Sequence, residues 1–171
     1  NDRTNEFRRS SYYLTCDRVN GVLTVYTDST MRIPIKTIRV SVGKAGTETP
    51  IGTWTMHRAG RWQELMGPSW GQYGTHVVNG IFVHSVACGQ ANSYNLPVGE
   101  YLRLGNPASH GCIRACVADA KWVWDNCNGS KIHIFDGTYT SNEALKGPLG
   151  RKALTPLRGS KNFDPTDPAC K

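Results

Sequence analysis

The stretch "YYLTCDRVNGVLTVYT", residues 12–27, decides the fold class. Its two runs of Leu, Val, Thr and Tyr suit a pleated, half-buried surface, where β-branched and aromatic side chains pack well. Between them stands Asn20-Gly21, a pair that accepts the positive φ angles of a two-residue hairpin turn. A β-hairpin turning at Asn20-Gly21 is therefore expected. Downstream, "MRIPIKTIRVSVG" (31–43) alternates Ile33, Ile35, then Ile38, Val40 and Val42. Pro34 cannot donate to a ladder, which places it at a sheet edge or a strand start. "THVVNGIFVHS" (75–85) repeats the hairpin pattern around Asn79-Gly80 and sets His84 at a strand end, and "KIHIF" (131–135) reads as a late strand.

One helix is expected. In "VADAKWVWDNCNG" (117–129), Val117, Ala120, Trp124 and Cys127 recur at helical spacing, and Asn128-Gly129 supplies a stop. Residues 1–11 are polar and read as a flexible lead-in. Residues 137–171 are rich in Gly, Pro and Lys without periodicity, and read as an extended arm packed on the domain.

With 171 residues, 39% hydrophobic and 19% charged, the chain can bury one core and is too short for two domains of ordinary size. A net charge of +7 favours an anionic partner such as nucleic acid, a membrane surface or a wall polymer. No basic cluster interleaved with aromatics and no nucleic-acid-binding motif is present, so nucleic acid is not the expected partner. Apolar runs fall far short of the ~20 residues of a membrane span. The first residues lack the charged-then-apolar pattern of a secretory leader.

Chemistry concentrates at "PASHGC", residues 107–112. An imidazole and a following helix N-terminus would both lower the Cys112 thiol pKa, and Gly111 would let backbone N–H groups approach a developing oxyanion. A nucleophilic cysteine also needs an oriented base. His84 is the candidate, with the Ser85 carbonyl available to its far ring nitrogen.

His84-Ser85 followed by Ser109-His110-Gly111-Cys112-Ile113-Arg114 resembles the signature of the L,D-transpeptidase catalytic domain, the YkuD family: a histidine, a gap, then Ser or Thr, His, Gly, Cys, a hydrophobic residue and Asn or Arg. "TPIGTWTM" (49–56), "YGTHVVNGIFVHS" (73–85), "LGNPASHGC" (104–112) and "DAKWVWDN" (119–126) resemble further family segments in the family's order. The likeness runs from about Tyr12 to Phe135. It implies a mostly-β sandwich of mixed sheets, with one short helix after the catalytic cysteine and a catalytic domain over residues 12–136.

Carried over by residue, the resemblance implies Cys112 as nucleophile, His84 as base, the Ser85 backbone as its orienting element, and His110 with Gly111 in the oxyanion shell. Ser109, Tyr73 and Arg114 would border the substrate, with Arg114 also holding the motif loop. No metal or other cofactor is implied. The reaction would be acyl transfer. Cys112 attacks the third residue of a peptidoglycan stem and expels the terminal D-alanine. An amine of a neighbouring stem then resolves the thioester into a 3→3 cross-link, and water in its place would give an L,D-carboxypeptidase. The resemblance further implies acylation by carbapenems, a monomer, a part in wall biogenesis and cell shape, and a secreted, extracytoplasmic protein at the cell wall or envelope, its leader or anchor lying outside this sequence. The gap over residues 85–108 is longer than the family's usual one, and "VACGQANSYNLPVGEYL" (86–102) would form a loop beside the cleft controlling acceptor access.

Other readings compete. Six cysteines invite disulfides, and a stapled, non-catalytic wall-binding module would use the same basic surface. Cys116 and Cys127 bracket the helix and would stand ~16 Å apart, too far to bridge. Cys88 with Cys116 is the more accessible pair. A zinc site on His84, His110, Cys112 and Cys116 lacks the spacing of structural zinc motifs. Trp62 and Trp70, in a Gly-rich loop, are placed to flank the cleft, and Trp122 and Trp124 belong to the helix.

Overall fold

The computed structural model describes residues 8–65, 67–159 and 161–170. Of the expected lead-in, residues 1–7 lie outside the described residues, and residues 8–11 are exposed. In chain order the strands are β1 (Tyr13–Asp17), β2 (Val22–Tyr26), β3 (Pro34–Arg39), β4 (Gly52–Thr55), β5 (His57–Arg58), β6 (Trp62–Leu65), β7 (Ser69–Gln72), β8 (Thr75–Val78) and β9 (Ile81–Ser85). A four-residue helix α1 (Val98–Tyr101) precedes β10 (Ile113–Ala115), helix α2 (Val117–Asn126) and β11 (Lys131–Phe135).

Two mixed sheets result. The first runs β3-β2-β1-β11-β4, with β1 and β11 parallel; the second runs β10-β9-β8-β5, with β10 and β9 parallel. The alternation seen in the sequence explains the layering. Leu14, Cys16, Leu23, Val25, Ile132 and Ile134 of the first sheet meet Val77, Val83, Ile113 and Ala115 of the second, and Val123 of α2 joins the same core. Pro34 both starts its strand and lies on an edge.

Three expectations are corrected in detail. The first hairpin forms, but its connection spans residues 18–21, because Asp17 Oδ1 accepts from the Val19 and Asn20 amides and holds a wider turn. Asn79-Gly80, by contrast, is a two-residue connection, with Asn79 at φ 49°. The Cys88–Cys116 disulfide is not formed: both thiols are free and buried in a second core with Val86, Leu96, Tyr101 and Leu104. Residues 86–108 supply most of that core, so little of the long segment is loose chain beside the cleft.

The C-terminal segment covers the first sheet's outer face, where Thr24 and Thr37 are buried. Thr37 Oγ1 donates to the Gly150 carbonyl and Arg39 Nε to that of Lys152. Further on, the segment caps α2, whose own N-cap residue Cys116 makes no side-chain cap bond. The Val117 amide donates instead to Asp164 Oδ2 and the Ala118 amide to Thr166 Oγ1.

Candidate active site

Strand register assembles the site. Parallel pairing sets Ile113 beside Val83 and Arg114 beside His84, so the residues two apart on β10 and β9 share a face. Cys112, immediately before β10, therefore falls opposite Phe82, whose amide donates to Cys112 Sγ at 3.4 Å. A cavity of about 430 Å³ opens over this face; His84, Ser109, His110, Cys112 and Arg114 all border it. Its other wall is the β6–β7 hairpin, through Glu64, Leu65 and Ser69, with Gly80, Ile81, Phe82 and Ala87 completing the lining.

The motif turn is fixed by its own hydrogen bonds. Ser109 is buried, and its hydroxyl donates to the Cys112 carbonyl at 2.6 Å and accepts from the Gly111 amide at 3.1 Å. Gly111 has φ 126°, and a Cβ there would stand 2.9 Å from Ile81 Cδ1, so only glycine fits without displacement. The Gly111 carbonyl accepts from Thr49 Oγ1 at 2.7 Å, and that oxygen accepts in turn from the Gly43 amide at 2.9 Å. The "TP" of residues 49–50 thus buttresses the turn.

His84 is buried, and its Nδ1–H donates to the Ser85 carbonyl. A carbonyl can only accept, so this bond leaves Nε2 as the ring's acceptor. Burial above all pushes the imidazole pKa down, to about 4, with Arg114 acting in the same direction and the Ser85 bond opposing. The ring is neutral at physiological pH. Beneath it lies β7: the Gln72 amide donates to Ser85 Oγ at 2.8 Å, and Gly71 leaves no room between its Cα and the ring.

The thiol departs from the sequence expectation. Cys112 lies apart from the N-terminus of α2, since β10 intervenes and the arm already caps that end. Burial raises its pKa, partly offset by the Phe82 amide and Arg114. Its S–H donates to the Gly80 carbonyl at 3.5 Å. Both shifts favour the uncharged forms, a thiol beside an unprotonated imidazole.

Three further placements differ from expectation. The Gly111 amide is committed to Ser109 Oγ and is not an open oxyanion donor. Tyr73 is buried outside the cavity lining, edge-on to Trp124 with the Arg61 guanidinium 4.0 Å from its ring centre. It carries φ 53° in the turn from β7 to β8, which aims it under α2. Residues 86–102, expected beside the cleft, contribute Ala87 alone to the lining. Thr49 and Gly71 were not singled out as site residues, the "TPIGTWTM" likeness being the available signal for Thr49; the stretch holding Trp62 and Trp70 does flank the cavity as the β6–β7 hairpin, but through Glu64, Leu65 and Ser69 and not through the tryptophans.

The chain matches the L,D-transpeptidase catalytic domain, YkuD, over residues 11–143. YciB of Bacillus subtilis (strain 168), whose name assigns it to the L,D-transpeptidases, is 59% identical over 27 residues, 16% of this chain and 14% of that one. Among solved structures, an L,D-transpeptidase from Mycobacterium tuberculosis H37Rv superposes with a TM-score of 0.59 at 19% identity, over 74% of this chain and 58% of that one. The Stackebrandtia nassauensis L,D-transpeptidase gives 0.57 at 19%, over 74% and 56%. LdtMt1, solved in complex with imipenem, gives 0.54 at 22%, over 73% and 59%. This chain thus spans little more than half of the solved chains it resembles.

Proposed function

The chain belongs to the YkuD family of L,D-transpeptidase catalytic domains, and from that premise we propose that it cross-links peptidoglycan stems 3→3 through a thioester on Cys112. The observation that carries this reading is the placement of Cys112 and a buried, Ser85-oriented His84 on one cavity face. As Cys112 Sγ attacks the carbonyl of the third stem residue, His84 Nε2 takes the thiol proton. The Cys112 amide, with that of His110, receives the oxyanion, those of Ser109 and Gly111 being committed to the Val42 carbonyl and to Ser109 Oγ. Collapse breaks the peptide bond, and the imidazolium returns its proton to the departing D-alanine amine. An amine of a second stem then attacks the thioester, giving up a proton to His84, which reprotonates the released thiolate.

The free Cys112 thiol favours this over a stapled wall-binding module. Carbapenems would acylate the same sulfur, and the substrate sets the place of action outside the cytoplasm. Incubation with defined tetrapeptide muropeptides tests the reading by product mass. Dimers lacking one D-alanine support the transpeptidase, tripeptides alone indicate the L,D-carboxypeptidase, and turnover surviving Cys112→Ala refutes both.

A further inference from the structure

We propose that Arg114 receives a carboxylate of the acyl-donor peptide, and that Glu100 holds that place in the resting protein as an internal substitute. Arg114 borders the cavity beside His84, two residues along the strand from Cys112. Its side chain is 12% exposed, and Nη1 is buried without a hydrogen-bond partner. Glu100 Oε2, the nearest opposite charge, is likewise buried and unbonded, 3.5 Å away. Buried guanidinium and carboxylate groups are ordinarily hydrogen-bonded, so an ion pair that makes no hydrogen bond between these two atoms leaves the guanidinium with a donor still to be used.

A second carboxylate accepts from it. The guanidinium fork takes a carboxylate through two parallel bonds, a geometry that the 3.5 Å approach of Glu100 does not supply. Glu100 can give way: its side chain is 37% exposed and lies 3.8 Å from the largely exposed Arg103. Arg114 and Cys112, two residues apart, point to the same side and border the same cavity, so a donor held at Cys112 passes beside the guanidinium. Glu100 stands on α1, within the segment that lengthens the gap between His84 and the motif turn, so this counter-charge is tied to the lengthened gap.

Such recognition presupposes the acyl-transfer reading, and one measurement separates the two. Acylation of Cys112 is followed by intact mass with three synthetic tetrapeptide donors: one with both its C-terminal and third-residue side-chain carboxylates free, and one amidated at each position in turn. The free donor should be preferred over one of the amides by ~10-fold or more in KM, with kcat little changed, and the amide that suffers identifies which carboxylate docks. Arg114→Lys should collapse that ratio toward one, whereas Glu100→Gln should widen it by lowering KM for the free donor. Equal KM for all three donors, or a ratio unchanged in Arg114→Lys, overturns the carboxylate site while leaving acyl transfer standing. No thioester with any donor overturns both.

Discussion

A Cβ built on Gly71 would stand 2.6 Å from His84 Nδ1 and 2.9 Å from Cγ of the same ring, inside any tolerated contact. The backbone of β7 at Gly71 is therefore packed against the Nδ1 side of the imidazole. The Ser85 carbonyl accepts from Nδ1 and Gly71 leaves that side no room to shift, so the two together fix the direction of Nε2.

Gly71→Ala should push the ring out of line. With its Nδ1 side closed, His84 can move only by breaking its bond to the Ser85 carbonyl. Misplacement of a catalytic group by about 1 Å costs on the order of 10²-fold in rate. The expected result is acylation of Cys112 slowed by about that factor, with far-ultraviolet circular dichroism unchanged. An Ala variant with wild-type acylation rate would mean that the ring has another support.

His84 should also leave a mark on acid stability. Its folded pKa of about 4 lies below its unfolded value near ~6.5. Between those values the unfolded chain binds the proton and the folded chain does not, so unfolding free energy rises with pH through this window and falls as pH is lowered. The span corresponds to on the order of 3 kcal/mol. Urea titrations at pH 4 to 7 should show that the stability of wild type relative to His84→Gln grows with pH across this window and levels off above it. A flat difference would mean that His84 is solvated or charged in the native protein.

Much of this was legible in the sequence because period-two alternation is local. Leu14, Cys16, Ile132 and Ile134 announce core-facing strands by spacing alone, and Asn79-Gly80 announces its own turn. Pairing across the chain was not legible. Nothing near Cys112 reveals that β10 runs parallel to β9, yet that register places Arg114 beside His84 and separates the thiol from the helix. Tyr73 was misplaced for a related reason: its φ of 53° depends on the turn between two sheets, and that angle aims it under α2 instead of into the cavity. The capping of α2 by Asp164 joins residues 47 apart in the chain, beyond any capping-box pattern.

That distant cap yields its own expectation. Asp164→Ala removes the acceptor of the Val117 amide and should cost about 1–2 kcal/mol of stability, read as a lower urea midpoint at unchanged slope. Asp164→Asn keeps an oxygen at the same place and should recover most of the loss. An Ala variant as stable as wild type would mean that water or Thr166 satisfies the helix end.

The protonation state of Cys112 decides between two starting points for the proposed acyl transfer, and alkylation kinetics distinguish them. A thiolate–imidazolium pair would react with iodoacetamide at a rate already level near neutral pH, because the thiolate would be fully formed there. The surroundings favour a neutral pair: burial raises the thiol pKa, the Gly80 carbonyl can accept its S–H, and burial lowers the His84 pKa. The alkylation rate should then climb about tenfold per pH unit from pH 6 upward, with no plateau before the ordinary thiol range. Labelling should also be selective. Cys112 is the half-exposed thiol, whereas the other five are buried, with Cys16 and Cys116 pushed up to about 12 and Cys88 to about 11. One label per native chain is expected, lost in Cys112→Ala. A rate that levels off below pH 7 would show that the thiolate preforms, and that the imidazole carries a proton before any substrate arrives.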